Sequence, residues 1–196
     1  MTNRINHTLW DKRAKRYLQR GRTGFGLRIA QSELKCAAEL WKMYCENLSG
    51  WAVDFGSGSG SFWDYVNPPS KLLLSDLSKE YKNSKSPSLR IVSDVTIPPI
   101  EDDSIKCIVA LGLIEYLPDL NSQFRTFRRL SKSDGLFLLS NSPPICANKI
   151  RSYLMSDVLL RSDIEVKQSL NQAGWSVLSG TLRHAGLQTL MLAKAN

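Results

Sequence analysis

The sequence predicts an open α/β fold, a mostly parallel sheet with helices on both faces. Three observations predict it. Apolar runs of strand length recur at 51–55, 71–76, 89–94, 105–111 and 135–140. Segments of helical character separate most of them, and continuously apolar strands alternating with helices mark a parallel sheet buried on both sides. The first run carries an acid and leads into alternate glycines, Asp54-Phe55-Gly56-Ser57-Gly58-Ser59-Gly60. Glycine tolerates positive φ and has no Cβ, so the backbone turns sharply and lies against a ligand. A strand, a glycine turn and a helix form the nucleotide-cradling unit of such sheets.

The elements follow in order. Trp10, Ala14, Tyr17 and Leu18 recur at helical spacing with basic residues between them, until the glycines of 21–26 interrupt. A second helix is predicted over 27–47, with Ile29, Leu34, Ala37, Ala38, Leu40, Trp41 and Tyr44 as its apolar faces and Ser49-Gly50 as its end. After the first strand, 61–66 reads as a short helix stopped by Asn67-Pro68-Pro69. A helix over 77–85 separates the second and third strands, and one around 120–130 separates the fourth and fifth. Pro143-Pro144 breaks the chain after the fifth strand. Ser162-Asp163-Ile164-Glu165 matches a capping box, so a helix starts there, and Gly174 is placed to end it. The stretches 175–180 and 187–193 read as two strands joined by a loop.

A chain of 196 residues suits one domain with one buried core. At 42% hydrophobic and 22% charged it has the composition of a soluble globular protein. No apolar run approaches the ~20 residues of a membrane helix, and the first residues lack the apolar block of a secretory signal. Cys36, Cys45, Cys107 and Cys146 are scattered with no CxxC pair, which reads as free thiols in a reducing, cytoplasmic setting. The net charge of +8 gathers at the front, in Arg4, Lys12, Arg13, Lys15, Arg16, Arg20, Arg22 and Arg28. Such a segment attracts phosphate-bearing partners, although the commoner meaning is a solvated helix face.

Two ligand classes compete for the glycine turn. A dinucleotide brings a pyrophosphate and needs GxGxxG. Here Gly56, Gly58 and Gly60 are spaced GxGxG, and Ser61 stands at the third position of the dinucleotide pattern. Asp54, two residues before the first glycine, is an awkward neighbour for a pyrophosphate and suits a ligand with an ammonium group. The second strand ends in Asp76, where a carboxylate accepts both hydroxyls of an adenosine ribose. The third ends in Asp94, placed to accept from the adenine amine. Acids at successive strand ends around one glycine turn describe a nucleoside site with no phosphate demand.

On these residues the chain resembles the class I S-adenosylmethionine-dependent methyltransferases, of the broad group that acts on small molecules. The stretch 53–60 resembles that family's first motif, and 93–104 its third-strand motif with the loop that follows. The stretch 111–119 resembles the segment after the fourth strand, 129–135 the turn before the fifth, and 10–17 an aromatic lead-in helix. The resemblance implies a Rossmann-like, seven-stranded, mostly parallel sheet with an antiparallel last strand. It implies a helical lid over 1–50 and a cofactor-binding core over 51–196. It implies S-adenosylmethionine, with Asp54 and the backbone of Gly56, Ser57, Gly58 and Gly60 at the methionine end and Asp76 at the ribose. Leu77 would lie against adenine, Asp94 and Val95 at the adenine edge, Leu111 near the sulfonium, and Tyr17 over the methionyl group. The chain departs from the pattern at Lys106, where many members have an acid, at Glu115-Tyr116 in place of Glu-His, and at Ser133-Asp134 in place of Pro-Gly.

Methyl transfer is an in-line displacement at an activated carbon, so positioning the acceptor supplies much of the rate. A base helps only where the acceptor must lose a proton. Glu115 and Tyr17 are the catalytic candidates, with His7, His184 in a turn, and Tyr153 behind them. Asn141-Ser142-Pro143-Pro144 echoes the Asn/Asp-Pro-Pro-Tyr motif of amino-methylating nucleic-acid enzymes. It follows the fifth strand and ends in Ile145, so it reads as a strand terminator. No metal-ligand pattern is present. The function expected is methyl transfer to oxygen or nitrogen of a small-molecule acceptor, with no membrane partner. The alternatives are RNA methylation, for which the basic front half speaks, and a non-catalytic cofactor-binding subunit, for which the missing histidine speaks.

Overall fold

The computed structural model describes residues 8, 10–12, 14–15, 24–81, 89–154 and 157–196. Tyr17 and His7 lie outside the described residues, as do Arg4, Arg13, Arg16, Arg20 and Arg22 of the basic segment.

Helix α1 (Phe25–Tyr44) precedes strand β1 (Trp51–Phe55), β2 (Leu72–Asp76), β3 (Leu89–Val92) and β4 (Ile105–Ala110). Helix α2 (Leu120–Leu130), strand β5 (Ser131–Asn141), and helices α3 (Cys146–Leu154) and α4 (Asp163–Gln172) follow. The last strands are β6 (Trp175–Val177), β7 (Arg183–Ala185) and β8 (Gln188–Ala195). Asp119 caps α2 by accepting from the Ser122 amide at 3.0 Å. The capping box of α4 forms as read, with the Ser162 hydroxyl on the Glu165 amide and the Glu165 carboxylate on the Ser162 amide.

The strands form one sheet in the order β3-β2-β1-β4-β5-β8-β6, with β7 paired to β8 off that path. The pairs from β3 to β5 are parallel, and β8 runs antiparallel to β5, β6 and β7. The sheet therefore has eight strands where the sequence suggested seven. The extra one is the three-residue β7, in a stretch read as loop, which Gly186 at φ 57 folds back onto β8.

Alternation along the strands fills both faces. Val53, Phe55, Ile108, Phe137, Leu139 and Met191 pack with Phe124, Phe127 and Leu130 of α2 and Val166 and Leu170 of α4. Ala52, Leu74, Val109, Leu138 and Leu192 pack with Ala37, Leu40 and Trp41 of α1 and with Phe62 and Trp63. The chain thus buries two cores, one on each side of the sheet.

Smaller expectations shift. The helix expected over 61–66 is a 3-10 turn at Ser61–Asp64. Of the helix expected over 77–85, Lys79–Tyr81 is a single 3-10 turn, and 82–88 lie outside the described residues. Strand β5 starts at Ser131, before the Gly135 predicted to open it. Its register jumps from Ile105↔Ser131 to Cys107↔Leu136, so Lys132, Ser133 and Asp134 bulge out. A Cβ on Gly135 would sit 2.0 Å from Ser131 Oγ and 3.0 Å from the Lys132 carbonyl oxygen, so any larger residue there must turn the Ser131 hydroxyl aside. Lys106, noted as replacing an acid, pairs with Asp134 there. No helix among the described residues is long and apolar enough to cross a membrane.

Candidate functional site

Parallel strands put their carboxyl ends on one edge, and the order reverses between β1 and β4. That reversal is where open α/β sheets hold ligands. Strand β1 carries Asp54 to this edge, only 4% exposed. The glycine turn then returns the chain so that Trp63 Nε1 donates to Asp54 Oδ2 at 2.8 Å. Burial pushes the Asp54 carboxyl up to about 7, against the Trp63 bond, with Asp76 raising it further and Arg90 opposing.

Gly56, Gly58 and Gly60 take φ of 68, 53 and 78. At Gly56 a Cβ would meet Leu113 Cδ1 at 2.9 Å, and at Gly60 it would meet Arg90 Nη2 at 2.8 Å. The first glycine therefore lets the β4 loop close in, and the third makes room for a guanidinium.

The amides of the turn face inward. Gly56 and Ser57 both donate to the Ser75 carbonyl, at 2.8 and 3.2 Å, and Gly60 donates to the Ser57 carbonyl at 2.8 Å. Gly58 donates to Asp76 Oδ2 at 2.8 Å. A pyrophosphate needs such N–H groups aimed at it, and here they are spent on the protein. Asp76 Oδ1 accepts from the Ser78 amide at 2.8 Å. The Leu77 amide donates to this carboxylate as well, which leaves part of its acceptor capacity for a ligand hydroxyl. Burial raises the Asp76 carboxyl, opposed by these backbone bonds and by Arg90. Ser57 Oγ is buried with no hydrogen-bond partner among the described residues. Two acids, an orphaned hydroxyl and four turn amides already bonded within the protein fit a ligand rich in N–H and O–H donors, which S-adenosylmethionine is at its ammonium and ribose.

The other expected cofactor positions divide. Leu77 is half-buried directly after Asp76. Asp94 Oδ1 accepts from the Thr96 amide and hydroxyl, both at 2.8 Å, so Asp94 also shapes its own loop. The Val95 carbonyl is occupied by Gln123 Nε2 at 2.8 Å. Leu111 packs on the α1-side core, and the next amide, Gly112, donates to Ser140 Oγ at 2.8 Å. The N-terminal helical segment reaches both lips of the crevice. Trp10 stands edge-on to Tyr116, centroids 4.9 Å apart, after β4. Asp11 Oδ1 accepts from Ser78 Oγ at 2.7 Å and the Lys79 amide at 3.2 Å, after β2.

Glu115 sits in the 3-10 turn Ile114–Tyr116, 2% exposed. Its Oε1 accepts from Ser142 Oγ at 3.2 Å, Arg151 Nη2 at 3.1 Å and Gln188 Nε2 at 3.1 Å. Its Oε2 is buried without a partner among the described residues, and so is Gln188 Oε1. Arg161 clamps the turn from outside, donating to the Ile114 carbonyl at 3.0 Å. Among the lesser candidates, Tyr153 is 89% exposed on α3. His184 lies on β7, not in a turn, with Nδ1 3.0 Å from Thr189 Oγ1. Asn141 ends β5, and its Nδ2 donates to the Arg161 carbonyl at 2.8 Å, a structural bond that suits a strand terminator. No group of His, Cys, Asp or Glu that could hold a metal ion exists among the described residues.

Sequence reasoning missed Arg90, Trp63, Ser142, Arg151 and Gln188 as parts of these clusters. Trp63 directly follows the turn and could have been suspected. The others carry no local signal.

Residues 53–139 match the family described as a methyltransferase domain. No curated protein sequence matches the chain. Among solved structures, magnesium protoporphyrin IX methyltransferase from Synechocystis PCC 6803, with bound S-adenosylhomocysteine, is similar at TM-score 0.76 and 13% identity, over 98% of this chain and 99% of that one. A SAM-dependent methyltransferase from Aquifex aeolicus aligns at TM-score 0.70 and 15% identity, over 93% and 98%. The 1,6-didemethyltoxoflavin-N1-methyltransferase of Burkholderia thailandensis aligns at TM-score 0.68 and 14% identity, over 97% and 90%. At such identities the likeness to these structures speaks for the fold.

Proposed function

We propose that this chain, a class I S-adenosylmethionine-dependent methyltransferase, delivers its methyl group to oxygen or nitrogen of a small molecule. The observation that carries the cofactor side is the inward-turned glycine loop beside buried Asp54 and half-buried Asp76. In this reading Asp54 receives the ammonium, Gly56, Ser57, Gly58 and Gly60 let the methionine end lie against the backbone, and Asp76 receives the ribose hydroxyls. Leu77, Asp94 and Val95 flank the adenine, and Leu111 lies towards the reacting carbon. When bound, the cofactor supplies a methyl carbon already activated by its sulfonium.

Glu115 is the proposed acceptor-side residue. Its one unpartnered oxygen is an acceptor for an O–H or N–H proton, and Arg151, Ser142 and Gln188 hold the other oxygen in place. The small-molecule reading draws on relatives in the fold that act on small molecules, the toxoflavin precursor enzyme among them. The segment before α1 serves as a lid in this reading, because Trp10 and Asp11 touch opposite lips. Tyr17 belongs to the same proposal as a closing residue. Four free thiols accord with a reducing compartment such as the cytoplasm.

Calorimetry with S-adenosylhomocysteine should show saturable binding at one site. Mass spectrometry of ligands that co-purify with the chain should then recover a small hydroxyl or amine compound or its methylated product. An absence of cofactor binding would end the proposal.

A further inference from the structure

We infer that Arg90 determines how the cradle weighs the charged methyl donor against its neutral product. The inference rests on the cofactor reading above. Arg90 stands on β3 in register with Leu74 of β2, one strand beyond the acids. Its fork donates from Nη1 to the Gly58 carbonyl at 3.0 Å and from Nη2 to the Ser59 carbonyl at 2.9 Å. Gly60 lacks the Cβ that would displace it. Asp54 and Asp76 are the acids whose charges act on it, and burial works against its own charge.

The residue therefore has two separable effects. As a fork it fixes the shape of the turn, which serves donor and product alike because they share the methionine and adenosine parts. As a cation it offsets one of the two acids once both are ionised, above the Asp54 pKa of about 7, and the cradle is then left with one net negative charge. Donor and product share the ammonium and differ by the sulfonium charge, so the part of the offset felt at the sulfur falls on the donor alone. Arg90 thus narrows the preference for the donor and strengthens the relative hold on the product.

Calorimetric titrations of S-adenosylmethionine and S-adenosylhomocysteine at pH 8.5, where Asp54 is ionised, on wild type, Arg90→Lys and Arg90→Gln separate the effects. Lysine keeps the charge but cannot bridge both carbonyls, so both affinities fall by a similar factor and their ratio stays within about twofold. Glutamine keeps an N–H donor toward the turn without the charge, so the ratio moves toward the donor by roughly 3- to 10-fold, less at high salt. Arg90→Met gives the same shift, and circular dichroism selects whichever neutral variant folds. A neutral variant with an unchanged ratio, or one moved toward the product, overturns the inference while leaving the cofactor reading intact. Failure of wild type to bind either compound overturns both.

Discussion

The glycine turn on the β1–β2–β3 side of the crevice makes its polar contacts through backbone atoms, whereas the Glu115 cluster on the β4–β5–β8 side makes its contacts between side chains. In the first, the amides and carbonyls of 56–60 meet Ser75, Asp76 and Arg90. In the second, Glu115 meets Ser142, Arg151 and Gln188, which are 27, 36 and 73 residues further along. A backbone site is shape imposed by glycine and changes little with side-chain substitution elsewhere. A side-chain site is rewritten by any one of its members. The difference teaches that the first side suits a ligand that stays the same and the second a ligand that varies between proteins of this fold.

The sharpest way to break that contrast is Asp54→Asn. We expect cofactor affinity to fall about 100-fold, because a buried ammonium loses its charge partner. The same variant should be more stable in its unliganded form at pH 8, by on the order of 2 kcal/mol. Folding raises the Asp54 pKa from 3.8 to about 7, so the folded chain holds that proton more tightly. The stabilisation is full below about pH 4 and is lost as pH rises through about 7, and asparagine never loses it. Denaturant unfolding at pH 5 and 8 checks this, and a variant no more stable at pH 8 would refute it.

Glu115→Gln probes the opposite side. Transfer to the co-purified acceptor should drop about 100-fold, while calorimetry with S-adenosylhomocysteine stays within about twofold. A matched loss of cofactor affinity would erase the division between the two sides. Gly60→Ala comes next, with unfolding free energy lower by about 2 kcal/mol from the positive φ and the clash with Arg90. Wild-type stability in that variant would mean the turn is not fixed by its conformation. The smallest effect is in pH. Between pH 5.5 and 7, below the range where a free ammonium titrates, wild-type cofactor affinity should rise roughly tenfold as Asp54 ionises. Asp54→Asn should flatten that rise.

The same contrast explains what was legible in the sequence. Asp54 and the glycines lie in one short stretch, and Asp76 closes an apolar run, so motif spacing and strand ends singled them out as candidates. Arg90 was invisible because one charged residue in a short strand reads as an ordinary solvent-facing position. Its partners are carbonyls, which leave no mark in a sequence. Arg151 and Gln188 join Glu115 only after α3 folds back and β8 pairs with β5. The strands and the longer helices were read from their apolar spacing. The exceptions were α3, where no helix was expected, β7, too short to show a period, and the bulge before Gly135.

The place of β8 bears on how the molecule assembles. It comes after β6 and β7 in the chain, yet it lies between β5 and β6. From residue 142 to 187 the edge of β5 waits without its neighbour, and neither β6 nor β7 has anything to pair with. Native order on that flank must then arrive together, as one late and slow event rather than strand by strand. Until it does, a long apolar edge is open to strangers, and this is the point at which a helper protein or a crowded solution would decide the yield of folded chains.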